Sequence, residues 1–219
     1  MGYTKLALKG ISWIGFFRIS TRVISYARIA ILARLLTPSQ FGAADIVLLV
    51  LSITEIFTET GINIFLIQQK EKIDKYINTA WVVSILRGLL IALVILISTP
   101  FITQFFDSQI IYDLLWLSIF VPIFRGFINP SVAKFVKDLR FGKEFYYRTS
   151  IFFVESVVSV MFAFMLHSPI AIIYGLIAGA IYEMIVSFLI AKPLPILKYE
   201  RELFQEVISR GKWMTLSGI

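Results

Sequence analysis

The stretch Ile77–Phe105, INTAWVVSILRGLLIALVILISTPFITQF, decides the fold. It holds a single charge, Arg87, and is longer than the ~20 mainly apolar residues that a membrane-spanning helix needs. Worked outward in both directions, the same rule gives six spans: Ile11–Leu36, Phe41–Ile67, Ile77–Phe105, Ile110–Ala133, Tyr146–His167 and Ile170–Ala191. The whole chain agrees. Its 219 residues are 58% hydrophobic and 16% charged, with a mean hydropathy of +0.83. A soluble domain carries ~45–50% apolar and ~25% charged residues. A chain of this size cannot hide so much apolar surface from water. The composition therefore excludes a soluble enzyme domain, a disordered chain and a collagen-like fibre. The expected fold is all-α, a polytopic transmembrane helix bundle. Residues 1–191 form the six-helix bundle. Residues 192–210 form a cytoplasmic connector with an amphipathic stripe of Leu203, Phe204, Val207 and Ile208. Residues 211–219 read as the opening of a seventh span, cut short.

Residue inventory removes several chemistries. There is no Cys, so disulfides, thiolate catalysis and Cys-based metal sites are excluded. One His, His167, leaves little room for a His-built metal site or proton-shuttling dyad. No cofactor and no enzymatic activity are expected. The N-terminal apolar stretch contains Arg18 and Arg22 and runs to Leu36, too long and too charged for a signal-peptide core. Pro100, Pro122 and Pro130 mark kinks or bending points. Gly175 and Gly179 form a small-xxx-small pair suited to close helix packing.

The basic residues alternate from one connection to the next. Lys5 and Lys9 precede the first span. Lys70, Lys72 and Lys75 follow the second. Lys134, Lys137, Arg140, Lys143 and Arg148 follow the fourth. Lys192, Lys198, Arg201, Arg210 and Lys212 follow the sixth. The first, third and fifth connections are short turns without Lys or Arg: Thr37–Gln40, Phe106–Ser108 and Ser168–Pro169. The positive-inside rule then places the N-terminus in the cytoplasm and the short turns outside. The basic loops read as topology signals and contacts with anionic lipid, not as a nucleic-acid surface. Trp13, Tyr76, Trp81 and the cluster Phe141, Phe145, Tyr146, Tyr147 read as interfacial anchors.

Ionisable residues inside the spans are the most informative feature. Arg18, Arg22, Arg87, Arg125, Glu55, Glu59, Glu155 and Glu183 lie ~7–12 residues from the cytoplasmic ends, a layer ~10–18 Å deep. At ~2.5–3.5 kcal/mol each, eight isolated charges there cost on the order of 20–28 kcal/mol. They must face one another or a wet cavity. Arg18 and Arg22 share a helix face, as do Glu55 and Glu59. With spans one and two as antiparallel neighbours, Arg18 pairs with Glu59 and Arg22 with Glu55. Arg28 and Arg34 lie further out, near the depth of Asp45, and Arg34 can snorkel outward. Arg87 and Arg125 have no acid at similar depth on their own helices. A guanidinium facing a cavity suits a phosphate, because its planar fork matches phosphate oxygens bidentately. Glu155 and Glu183 are candidates for protonation-linked coupling; the plainer role is a helix-to-helix hydrogen bond.

The turn Ala33-Arg34-Leu35-Leu36-Thr37-Pro38-Ser39-Gln40-Phe41-Gly42 resembles the first outer turn of Wzx-type oligosaccharide flippases of polysaccharide biosynthesis. So do Glu59-Thr60-Gly61, Leu66-Ile67-Gln68-Gln69-Lys70-Glu71, Asn78-Thr79-Ala80-Trp81 and Lys137-Asp138-Leu139-Arg140-Phe141, in order. The resemblance implies a MATE-like N-terminal bundle, one of two six-helix bundles around a central cavity that opens to each side in turn. It implies a lipid-linked glycan as substrate, an undecaprenyl-diphosphate carrying an O-antigen, exopolysaccharide or capsule repeat unit. Arg18, Arg22, Arg87 and Arg125 would hold the diphosphate. Glu55, Glu59, Glu155, Glu183 and Asp45 would serve coupling or ion pairing. Expected partners are membrane lipid, a C-terminal bundle absent from this chain, a glycan polymerase and glycosyltransferases, in the inner membrane. A MATE-type cation-coupled exporter of small molecules is the alternative, and predicts a cavity dominated by acidic and aromatic groups.

Overall fold

The computed structural model describes residues 3–58, 62–68, 73–198, 200 and 203–204, without the side chains of 3–14, 17, 18, 57 and 63. Among the described residues it is helical throughout, with no strand. In chain order the helices are α1 (Tyr3–Leu35), α2 (Pro38–Phe57), α3 (Ile62–Gln68), α4 (Asp74–Phe106), α5 (Gln109–Ser118) and α6 (Phe120–Gly126). A 3-10 turn (Pro130–Val132), α7 (Ala133–Lys137), α8 (Phe141–Leu166) and α9 (Ile170–Ile190) follow. Among the described residues, five segments are long and apolar enough to cross a membrane: Pro38–Ile56, Asp74–Phe106, Gln109–Gly126, Phe141–Leu166 and Ile170–Ile190. Helix α1 has the length but carries Lys5, Lys9, Arg18, Arg22, Arg28 and Arg34. Leu89, Leu93, Ile97, Phe101 and Phe105 of α4 and Phe153, Val157, Met161 and Phe164 of α8 stand exposed. Apolar bands of that extent are what lipid covers.

The three short turns form where the sequence puts them. Thr37 caps α2 through a capping box with Gln40, and Pro38 sits at the first helical position. Asp107 and His167 end α4 and α8 in the left-handed conformation, at φ 47° each. Two spans are broken. The second ends early: Thr54 and Thr58 hydroxyls donate to the Val50 and Thr54 carbonyls at 2.8 and 2.6 Å, and Thr58 caps α2. The residues from Ile62 onward form α3, which packs on α7. The fourth is interrupted between α5 and α6, where Pro122 cannot donate to the Ser118 carbonyl. It ends at Gly126 rather than Ala133, and Pro130 starts a 3-10 turn capped by the Asn129 side chain.

Helix packing departs from chain order. Helix α1 packs chiefly on α8, and α2 on α5. Leu32, Leu36 and Ala44 meet in one cluster with Ala163 and Ala171, so α1 and α2 touch at their shared turn. From there α1 runs parallel to α8, through Phe16–Phe145, Arg28–Glu155 and Leu32–Ala163. Glycines set two close crossings. A Cβ on Gly175 would collide with Ser159 and come within 2.6 Å of the Glu155 carbonyl, so α8 and α9 need that glycine. A Cβ on Gly88 would strike the Pro122 carbonyl, and one on Gly126 would lie 3.0 Å from the Ser84 carbonyl. Backbones this close are how membrane helices pack without a hydrophobic drive between them.

Several anchor and connector expectations change. Tyr76, Phe145 and Tyr147 are buried, and Tyr76 meets Phe65 edge-on at 5.2 Å. Trp81 donates to the Phe127 carbonyl at 3.1 Å. Tyr146 stays exposed, as an interfacial residue should. Leu203 joins the core cluster of Ile62, Phe65, Tyr76 and Ala133 instead of lying on a membrane surface. Val207, Ile208 and residues 211–219 lie outside the described residues. After α9 the chain is fastened to the bundle. Asn129 donates to the Ala191 carbonyl at 3.1 Å, Ser131 to the Pro193 carbonyl at 2.7 Å, and Asn78 accepts from the Ile196 amide at 2.9 Å.

Candidate functional site

A cavity of about 490 Å³ opens between the two main core clusters of the bundle, touching Ile91 of one and Ala133 of the other. That volume falls within the ~300–1,000 Å³ typical of small-molecule sites. Its polar lining is Glu55 from α2, Arg87 and Ser84 from α4, Arg125 from α6, Glu144, Tyr147 and Arg148 from α8, and Glu183 from α9.

The cationic side is built by the α4–α6 crossing. Gly88 follows Arg87, and Gly126 follows Arg125. Because the two glycines touch, their neighbours lie at one level, and both reach Glu55. Arg125 Nη1 donates to Glu55 Oε1 at 2.6 Å. Arg87 Nη2 donates to the Glu55 main-chain oxygen at 2.8 Å. That oxygen belongs to the last turn of α2, where it also accepts from the Thr58 hydroxyl at 3.4 Å. A carboxylate at this end of a helix faces the negative pole of the macrodipole. Two guanidiniums offset that pole. The side chains of the Arg125–Glu55 pair remain 39% and 35% exposed, open to the cavity.

The α8–α9 side carries a second set. Arg148 Nε donates to Glu144 Oε1, one helical turn away on α8. Tyr147 donates to Glu183 Oε1 at 3.5 Å, a long contact. Glu183 also lies within electrostatic reach of Arg125, Arg148 and Glu144. Among the described residues, the cavity thus gathers three arginines and three glutamates from five helices.

The sequence-derived candidates divide. Arg87, Arg125, Glu55 and Glu183 come together on the cavity. Arg22 is exposed on α1 and does not meet Glu55, which Arg125 holds instead. The expected pairing assumed that consecutive spans pack along their length; α1 packs on α8. The side chain of Arg18, and Glu59 as a whole, lie outside the described residues, so the expected Arg18–Glu59 pair does too. Glu155 is away from the cavity: Arg28 Nη1 donates to its Oε1 at 2.6 Å, with side chains only 19% and 13% exposed. Arg28 also lies over the Phe152 ring, 5.5 Å from its centre. Asp45 and Arg34 are exposed. His167 sits at the α8 turn, its carbonyl accepting from Gln40. Arg125 is at the last turn of α6, one residue from the end of that span, not midway along it.

Three cavity residues were missed from sequence. Glu144 lies before a fifth span that starts at Tyr146, whereas α8 begins at Phe141; Tyr147 reads from sequence as an interfacial anchor, and Arg148 as one of the basic residues of the connection. The Glu144/Arg148 spacing of four was the available signal. The repeated Arg-Gly at 87–88 and 125–126 was the signal for the crossing.

A family profile described as polysaccharide biosynthesis protein matches residues 31–219. No curated protein and no solved structure matches the chain significantly.

Proposed function

The chain belongs to the polysaccharide biosynthesis protein family, and on that premise we propose that it carries a lipid-linked glycan across the cytoplasmic membrane. The substrate in this reading is an undecaprenyl-diphosphate-linked oligosaccharide. No bond is broken; the headgroup moves through a cationic cavity by alternating access. The single observation that supports this most is the convergence of Arg87 and Arg125 from separate helices on one open cavity within a membrane bundle. Bidentate guanidinium donors suit a phosphate, and the low dielectric strengthens the contact. The basic end of the bundle faces the cytoplasm, with the N-terminus, and the three tight turns face outward. A second helical bundle completes the path, and a polymerase and glycosyltransferases work on the same glycan.

The test is export. Arg87→Ala and Arg125→Ala, each in the full-length protein, should abolish surface glycan while membrane insertion and protein level hold. Normal surface glycan in both variants would remove the reading. The cation-coupled exporter remains the second reading, favoured by Glu55, Glu144, Glu183 and Tyr147 on the same walls. It predicts that Glu183→Gln lowers efflux of a cationic dye and leaves surface glycan intact.

A further inference from the structure

The arginines of the cavity are already engaged by the protein itself. Arg125 is held by the Glu55 carboxylate, and Arg87 caps the Glu55 main chain. On α8, Arg148 is held by Glu144. Glu183 feels both Arg125 and Arg148, so the two sets flank one carboxylate and share one space of about 490 Å³. Among the described residues, the formal charges of Arg87, Arg125, Arg148, Glu55, Glu144 and Glu183 sum to zero. A diphosphate joined at both ends, to a lipid and to a sugar, carries two negative charges. Those charges must compete with Glu55 and Glu144 for the guanidiniums that the two carboxylates now hold. Carboxylate and phosphate use the same face of a guanidinium, so Glu55 and Glu144 stand where phosphate oxygens would bind.

We propose that the cavity is a two-station site for a diphosphate diester, with Arg87 and Arg125 at one station and Arg148 at the other, each guarded by a carboxylate, Glu55 or Glu144, that the ligand displaces. The inference deepens the transport reading and rests on it. It makes Arg148 the residue that distinguishes two phosphates from one. It also makes two acidic residues of the site oppose affinity. Displacing Glu55 strands a carboxylate at the negative end of α2, so the last turn of α2 is where occupancy is felt.

The experiment uses the whole chain in lipid nanodiscs and two probes, geranylgeranyl-diphosphoglucose and geranylgeranyl-phosphoglucose, read by calorimetry. Wild-type protein should bind the diphosphate probe at least about tenfold more tightly, the scale of one added charge-assisted contact. Arg148→Gln should remove that preference, weakening the diphosphate probe about tenfold more than the monophosphate probe. Arg148→Lys, which keeps the charge, should retain part of it. Glu55→Gln and Glu144→Gln should each tighten diphosphate binding several-fold. Two results overturn the proposal while leaving the transport reading standing: Arg148→Gln weakening both probes alike, or the two Glu variants binding no more tightly than wild type. Failure of wild-type protein to bind either probe, with Arg125→Gln likewise silent in glycan export, overturns both.

Discussion

Two arginine–glutamate pairs in this bundle share a bond length of 2.6 Å and almost nothing else. Arg28–Glu155 ties α1 to α8 and is largely sealed, with Phe152 under the guanidinium. Arg125–Glu55 ties α6 to α2 beside open space, with more than a third of each side chain exposed. Removing one partner of a sealed pair strands a charge in a medium that cannot solvate it. Removing one partner of an open pair lets water take its place. The same two residue types therefore hold the bundle together in one place and leave groups available for a ligand in the other.

That contrast can be broken by mutation. Arg28→Ala should cause the largest loss of stability, about 3–5 kcal/mol, seen as a marked fall in unfolding temperature in detergent. An unchanged temperature would mean that the pair is not sealed. Gly88→Ala should cost about 1–3 kcal/mol by overpacking the α4–α6 crossing, and should reduce export as well, because Arg87 and Arg125 lose their common level. Arg125→Ala should cost no more than about 1 kcal/mol while abolishing surface glycan. Loss of stability as large as that of Arg28→Ala would erase the distinction between the pairs. Exchanging the charges, Arg125→Glu with Glu55→Arg, should recover part of any stability that either single change loses. Smallest is Tyr147→Phe, which removes a long contact to Glu183 and should shift stability by about 0.5 kcal/mol or less.

Much of this was legible in the sequence, and the rest has identifiable causes. Long apolar runs, charge-free short turns and the alternation of basic connections are local properties, and they locate the helices. The Gly175/Gly179 spacing marked a close helix contact, since helix periodicity is local too, and the structure gives that contact to α8. Depth counting grouped Arg87, Arg125, Glu55 and Glu183, and these four meet at the cavity, although Arg125 and Glu55 lie in the last turns of their helices and not midway along them. Partner choice was not legible. Arg22 and Glu55 match in depth, yet α1 swings away to α8, a tertiary choice that hairpin adjacency does not encode. Span ends were misjudged where the chain changes helix type without changing polarity. Pro122 and Thr58 divide apolar segments that hydropathy reads as continuous. A fifth span starting at Tyr146 leaves Glu144 outside the bundle, and the anchor and topology readings of Tyr147 and Arg148 give no sign that both face the cavity.

Arg125 lines a wet, ligand-accessible cavity, whereas Arg28 is sealed between α1 and α8. The chain has no cysteine, so single cysteines report without background. Arg125→Cys and Arg28→Cys, each in the whole chain in nanodiscs, should be challenged with a charged, membrane-impermeant thiol reagent. Position 125 should be modified rapidly, and more slowly in the presence of geranylgeranyl-diphosphoglucose, while position 28 should be modified little. Equal reactivity at the two positions, or modification at position 125 that the diphosphate probe fails to slow, would contradict this contrast.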